Sequence, residues 1–279
     1  MKLIFAASSL LLLASPAYAA DVSASEPAPI ASAFSWTGLY VGANAGAGWS
    51  NGDPLGDTTY HLNGEDGTFA NGWFNSEDSS NKSGFTGGAQ IGYNYQINNI
   101  VLGIEADLNY LNVKNQYSAD YFDTLYSDAS PDYNYNLKED LDTESRIEWF
   151  GTIRPRLGVT PSERLLVYAT GGLAYGQVKS SASYKWHEYG YWWGGPGDHF
   201  FDRSGGFDGS SSNVRWGWTL GAGAEYALTD KLSLKGEYLY VDLGSKNHSV
   251  LSPDDSTESI SWRDSAQFHA VRLGVNYKF

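Results

Sequence analysis

Apolar side chains fall on every second position in eight separate stretches of this chain: residues 36–49, 84–97, 100–113, 146–159, 165–178, 213–228, 232–244 and 267–279. In 100–113, Leu102, Ile104, Ala106, Leu108 and Tyr110 alternate with Gly103, Glu105, Asp107 and Asn109. A period of two is the mark of a strand with one apolar face. The connections alternate strictly in length. Residues 50–83, 114–145, 179–212 and 245–266 are long and polar, whereas 98–99, 160–164 and 229–231 are tight. The pattern predicts an all-β chain of eight antiparallel, up-and-down strands joined alternately by long loops and short turns.

Which face points outward decides the class. The polar faces carry Glu105, Asp107, Glu148, Arg154, Arg156, Arg215, Glu225, Lys235, Glu237, Arg272 and Lys278. In a soluble secreted sandwich those faces would meet water and the apolar faces would meet each other. Three features favour a transmembrane barrel instead. Long loops at one end and short turns at the other are usual for outer-membrane barrels. A two-residue turn at Asn98-Asn99 sets Tyr95, Tyr93, Ile91 and Ala89 opposite Leu102, Ile104, Ala106 and Leu108, and puts Gln90 and Gly92 opposite Asp107 and Glu105. A turn at 229–231 sets Tyr226 opposite Leu234 and Glu225 opposite Lys235. A slip of one residue would drive an ion into lipid, so the register is tightly specified. The chain also ends on an alternating strand with a terminal aromatic, Phe279, the form of end that outer-membrane assembly machinery reads.

In hydrocarbon every backbone polar group must be paired internally, and a closed barrel leaves no edge. Each stretch is long enough for the roughly 9–11 residues that a tilted strand needs to cross. Trp49, Phe85, Tyr110, Trp149, Tyr175, Trp216, Trp218 and Tyr240 would form an outer aromatic girdle, and Tyr93, Tyr95, Tyr226, Tyr277 and Phe279 a periplasmic one. Eight strands enclose a space that side chains can fill. The inward ions are expected to pair across strands: Glu105 and Asp107 with Arg154 and Arg156, Glu225 with Lys235, and Glu237 with Arg272. A structural network is the first expectation, and a gated ion path the sharper alternative.

Upstream, Lys2, the apolar run ending in Leu10 to Leu13, and Ala17-Tyr18-Ala19 have the form of a cleavable export signal, residues 1–19. Residues 20–35, rich in Ala, Ser and Pro, are expected to be a flexible periplasmic linker, leaving 36–279 as the barrel with both ends periplasmic. There is no cysteine in the 279 residues, which excludes disulfides, thiolate-held metals and a cysteine nucleophile. The formal net charge is −14. The four long loops hold 22 acidic and 8 basic residues, against 10 of each elsewhere, so the whole excess lies at the loop end. Such a surface argues against nucleic acid. The expected partners are outer-membrane lipid and lipopolysaccharide, with the assembly machinery reading the last strand.

No P-loop, HExxH or GxSxG is present. His269 has only Phe268 and Ala270 beside it, reads as an interfacial polar residue, and the chain is expected not to be an enzyme. The second and third loops are rich in aromatics, and His61, His187, His199 and His248 also lie in loops. The bland expectation is strands that run on past the membrane and pack together. The sharper one is a haem or receptor site, with His187 and His199 as the first residues to test; no resident cofactor or metal is otherwise expected.

Residues 36–42 (WTGLYVG), 166–176 (LVYATGGLAYG), 217–226 (GWTLGAGAEY), 235–244 (KGEYLYVDLG) and 271–279 (VRLGVNYKF) resemble, in order, the strands of the small outer-membrane immunogenic porin-family proteins of rhizobia, Brucella and Bartonella. The resemblance covers the strands of 36–279 and not the loops. It implies an eight-stranded barrel of the OmpA transmembrane type, in the outer membrane of a Gram-negative bacterium. It also implies an abundant surface antigen that supports envelope integrity. Some relatives bind haem, but no residue of that role carries over. The expected function is thus a non-enzymatic, surface-exposed structural barrel. Loop-mediated binding of haem or a host receptor, and a small-solute porin, are the alternatives.

Overall fold

The computed structural model describes residues 34–50, 59–62, 65–68, 75–78, 83–126, 133–193, 198–252, 257 and 259–279. The expected signal segment, and the linker up to residue 33, lie outside these. The described residues form eleven strands: β1 Gly38–Trp49, β2 Thr59–Leu62, β3 Glu65–Thr68, β4 Asn75–Asp78, β5 Ser83–Ile97, β6 Ile100–Tyr126, β7 Tyr133–Ser162, β8 Leu165–Trp193, β9 Asp198–Ala227, β10 Leu232–Leu251 and β11 Ser259–Lys278. Eight of them, β1 and β5 to β11, pair antiparallel in chain order, and β1 closes the ring on β11 from Tyr40↔Lys278 to Trp49↔His269. The registers expected around both tight turns are the observed ones, from Ala89↔Leu108 to Tyr95↔Leu102 and at Tyr226↔Leu234 and Glu225↔Lys235.

The turns follow from their residues. Asn98 takes a φ of 55°, the left-handed conformation that asparagine tolerates. Thr229 Oγ1 accepts hydrogen bonds from the Lys231 and Leu232 amides and holds the turn before β10. The β7–β8 turn is shorter than 160–164, since β7 runs to Ser162 and β8 begins at Leu165.

The second and third long loops run on as strand, as the bland expectation had it. Much of 114–145 and 179–212 is strand: β6 to β9 have 27, 30, 29 and 30 residues, about three times what a membrane crossing needs. The first long loop holds β2, β3 and β4, which pair with β11, with β2 and with β6 respectively. Beyond Trp218↔Asp242 no further β9–β10 register pair occurs among the described residues, while β8–β9 pairing continues to Trp193↔Asp198. Above the membrane β6 to β9 therefore form a tall wall, while β10 and β11 run on as a separate pair to Leu251↔Ser259, with β2 on β11.

The interior is layered. Trp36, Val101, Leu166, Tyr168 and Ala227 fill the periplasmic mouth, with Phe34 packed on Trp36. Trp36 was expected to open the first strand; instead that strand starts at Gly38, and the Trp36 ring plugs the mouth and donates to the Glu163 carbonyl. Phe34, at the end of the expected linker, lies under the Lys278 ammonium. An ionic layer follows. Above it come Leu111, Val113, Ile147, Phe150, Leu239, Leu243 and Phe268, and higher still Tyr117, Leu141, Tyr184, Phe207, Ile260 and Trp262. Ile147 was expected on the lipid face. A bulge between Ile147 and Trp149 turns it inward, and Glu148 reaches sideways to Lys179.

Candidate functional site: the ion cluster in the lumen

Strand alternation puts Glu105 and Asp107 of β6, Arg154 and Arg156 of β7, Glu225 of β9, Lys235 and Glu237 of β10 and Arg272 of β11 on the inner face. All eight are buried. Four cations face four anions, so the layer is neutral. Arg154 Nη2 donates to Glu105 at 2.7 Å, Asp107 at 2.9 Å and Glu237 at 3.3 Å. Arg272 Nη2 donates to Glu237 at 2.5 Å and Asp107 at 2.8 Å. Lys235 Nζ donates to both oxygens of Glu105, at 2.8 and 2.9 Å. Arg156 Nη2 donates to Glu225 at 2.9 Å, and its guanidinium stacks between the rings of Tyr40 and Tyr168.

The expected pairs of Glu105 and Asp107 with Arg154, of Glu105 with Arg156 (3.4 Å) and of Glu237 with Arg272 come together. Glu225 and Lys235 are register neighbours, yet the Lys235 ammonium goes to Glu105 and Glu237, while Glu225 accepts from Arg156, Ser233 and Asn276. The reason is geometric: a long side chain on the inner face of a narrow barrel reaches the far wall as easily as its neighbour. Sequence reasoning missed Tyr40 and Tyr168, whose hydroxyls donate to Glu105 and Glu237. Their signal was available, because both share the inward parity of Asn44 and Thr170. Buried ions must be satisfied in this way, since breaking one partner out of such a set strands its counter-charge.

The remaining candidates are dispersed. Arg215 pairs with Asp264 at 2.6 Å, one layer above the first apolar floor. His248 stacks on Trp262, and burial holds its pKa below the usual value; Asp264 pulls upward while Arg215 and Lys246 add to the depression. His269, expected to lack a partner, lies against the Tyr238 hydroxyl at 2.6 Å and stacks on Trp49 across the β1–β11 seam. Phe279 stays in the girdle, edge-on to Tyr277, and its amide closes on the Leu39 carbonyl. His187 contacts Asp202 at 2.9 Å. In the β8–β9 register His187 faces Ser204, whereas His199 faces Trp192 five residues further on. That is ~17 Å of strand and opposite faces of the sheet, so the two do not converge on one iron. Among the described residues no group of three His, Asp or Glu could hold a metal.

The geometry is that of a closed ring whose outer face is apolar over the length of a membrane. Residues 5–279 match the family model of the outer membrane protein beta-barrel domain. The chain belongs to that family. It is 39% identical to the 31 kDa outer-membrane immunogenic protein of Brucella melitensis over the full length of both chains. It is 28% identical to the 22 kDa outer membrane protein of Rhizobium leguminosarum bv. viciae, over 91% of this chain and 83% of that one. Among solved structures, OprG of Pseudomonas aeruginosa aligns at 12% identity and a TM-score of 0.45, covering 87% of this chain and 96% of that chain. The protein is an outer-membrane β-barrel of a Gram-negative bacterium.

Proposed function

We propose that this barrel is a non-enzymatic, non-conducting structural component of the outer membrane that presents an acidic β-wall to the exterior. The observation that carries this reading is the filled lumen. The neutral ionic layer lies between two apolar floors, one around Trp36 and one around Phe150 and Phe268. A hydrated ion would have to displace packed apolar side chains to cross them. A porin reading needs a continuous polar path, and the two apolar floors interrupt it. Planar-bilayer recording tests this. Wild type and Arg154→Ala are both expected to stay at baseline, and discrete openings in the wild type would refute the reading.

One observation favours a second reading, ligand capture by the wall. Aromatics crowd its tip: Tyr135 packs on Phe201, Tyr191 on Phe200 and His187 on Tyr189, and Phe200 is 73% exposed. Haem is the ligand to try, since flat aromatic platforms suit it. An absorbance titration, repeated on a His187/His199 double substitution, decides: no Soret shift in the wild type ends this reading.

A further inference from the structure

The outer face of the wall carries one row of three cations on adjacent strands. In β6, β7 and β8, Lys114 is directly opposite Arg146, and Arg146 directly opposite Lys179. All three point away from the lumen, because their neighbours Val113, Ile147 and Val178 are buried inside. Three like charges abreast on adjacent strands repel one another. Glu144 bridges Lys114 and Arg146 at 2.9 Å each, and Glu148 takes Lys179 at 2.7 Å. Two carboxylates against three cations leave one positive charge, on side chains still 31–49% exposed.

The rung lies three or four residues beyond Tyr110, Trp149 and Tyr175, the girdle residues of the same strands, and Trp149 and Tyr175 pack edge to face there. Four residues of tilted strand place it ~10 Å above the girdle. Aromatic girdles mark the headgroup level, and Lys and Arg can reach down from that height. Further out the same face is mixed: Asp142, Asp140 opposite Asp120, and Asp208 on β9 stand with Lys138 and Lys185, both beside Asp140. Around the rest of the ring the first outward residues above the girdle are Ser83, Val214, Asp242 and Gln267. What sets this rung apart on the wall is that three cations stand abreast on adjacent strands with two carboxylates between them.

The geometry points to a binding site on β6–β8 for the phosphate of an outer-leaflet glycolipid, held by Lys114, Arg146 and Lys179. A phosphate monoester carries nearly two negative charges, more than enough to offset the single positive excess of the rung. Its acyl chains would lie along the exposed Leu108, Ile153 and Leu173 of the same strands. The inference rests on the lipid-embedded structural reading above and adds a ligand class and residues to it.

The test is native mass spectrometry of the full barrel refolded in detergent micelles, with diphosphorylated lipid A, the same lipid dephosphorylated, and inorganic phosphate as probes. Each interfacial cation is worth about fivefold in affinity for an anionic lipid, so Lys114→Gln/Lys179→Gln is expected to bind lipid A ~30-fold more weakly. Lys246→Gln/Arg263→Gln, higher on β10 and β11, is expected to match the wild type, and dephosphorylated lipid A to bind wild type and variant alike. Heat-modifiable gel mobility certifies that each variant is folded. Equal retention of lipid A by folded wild type and folded Lys114→Gln/Lys179→Gln overturns the site. Displacement by inorganic phosphate at the lipid's own concentration also overturns it, assigning the rung to a free anion. Neither result touches the closed-barrel reading, which stands or falls on conductance.

Discussion

Replacing Arg154 by methionine takes one cation out of the lumen and leaves four carboxylates facing three positive groups. The side chain has no exposure and sits within 3.3 Å of Glu105, Asp107 and Glu237. At an effective dielectric near 20, each close contact is worth about 4 kcal/mol of attraction, most of it offset by desolvation. Truncating one partner of a buried pair typically costs about 3–5 kcal/mol, because the other charge is left behind. With a urea slope of about 2 kcal/mol/M, the unfolding midpoint in lipid vesicles should fall by about 2 M, followed by tryptophan fluorescence and gel mobility. Adding Asp107→Asn restores equal numbers of charges. Arg272 keeps Glu237 at 2.5 Å, so the double variant should be more stable than the sum of the singles by at least about 1.5 kcal/mol. If Arg154→Met unfolds within about 1 kcal/mol of the wild type with an unchanged slope, the cluster is water-screened and the reasoning about a dry, mutually satisfied layer fails.

Leu108→Arg puts a charge on the lipid face at mid-barrel and should cost about 2–4 kcal/mol in the same vesicle assay; a smaller loss would move the membrane away from that belt. At Gly46, where β1 closes on β11, an added methyl would lie 2.0 Å from the Val271 carbonyl oxygen, so Gly46→Ala should destabilise by about 1–3 kcal/mol. Gly236→Ala, whose methyl meets only Leu273 at 3.6 Å, should change little in a parallel measurement. Glu139, in the wall above the membrane, has its pKa raised by burial, with the Tyr184 hydroxyl pulling the other way. The folded state therefore holds this proton more tightly than the unfolded chain. The stability it contributes is fully present below about pH 4.5 and is lost as pH rises through the folded value. Hydrogen exchange of the β7–β8 wall should slow on acidification in the wild type, and less so in Glu139→Gln.

The membrane part of this barrel was legible in the sequence because lipid imposes a rule on every residue. Leu102, Ile104, Ala106, Leu108 and Tyr110 must face acyl chains, Glu105 and Asp107 must face inward, and a two-residue turn at Asn98-Asn99 leaves one register that satisfies both. Closure follows, since the edges of β1 and β11 cannot be left unpaired in hydrocarbon. Above the membrane that rule lapses. Either face of a strand can meet water there, so in 114–145 and 179–212 the clustered aromatics indicated strands running on and packing, while the packing of Tyr117, Leu141, Tyr184, Phe207 and Trp262 was needed to place the second core. Bulges were invisible: one extra residue at Glu148 sends Ile147 into the lumen, and nothing in the local composition announces it. The sequence also named all eight ions of the central layer, because parity alone assigns them a face, but not Asp264, the buried partner of Arg215 higher in the lumen. Which cation meets which carboxylate was settled by the tertiary structure, as Lys235 choosing Glu105 over its neighbour Glu225 illustrates. Strand alternation specifies direction, but the partner depends on distances across a barrel whose width and stagger are properties of the closed ring.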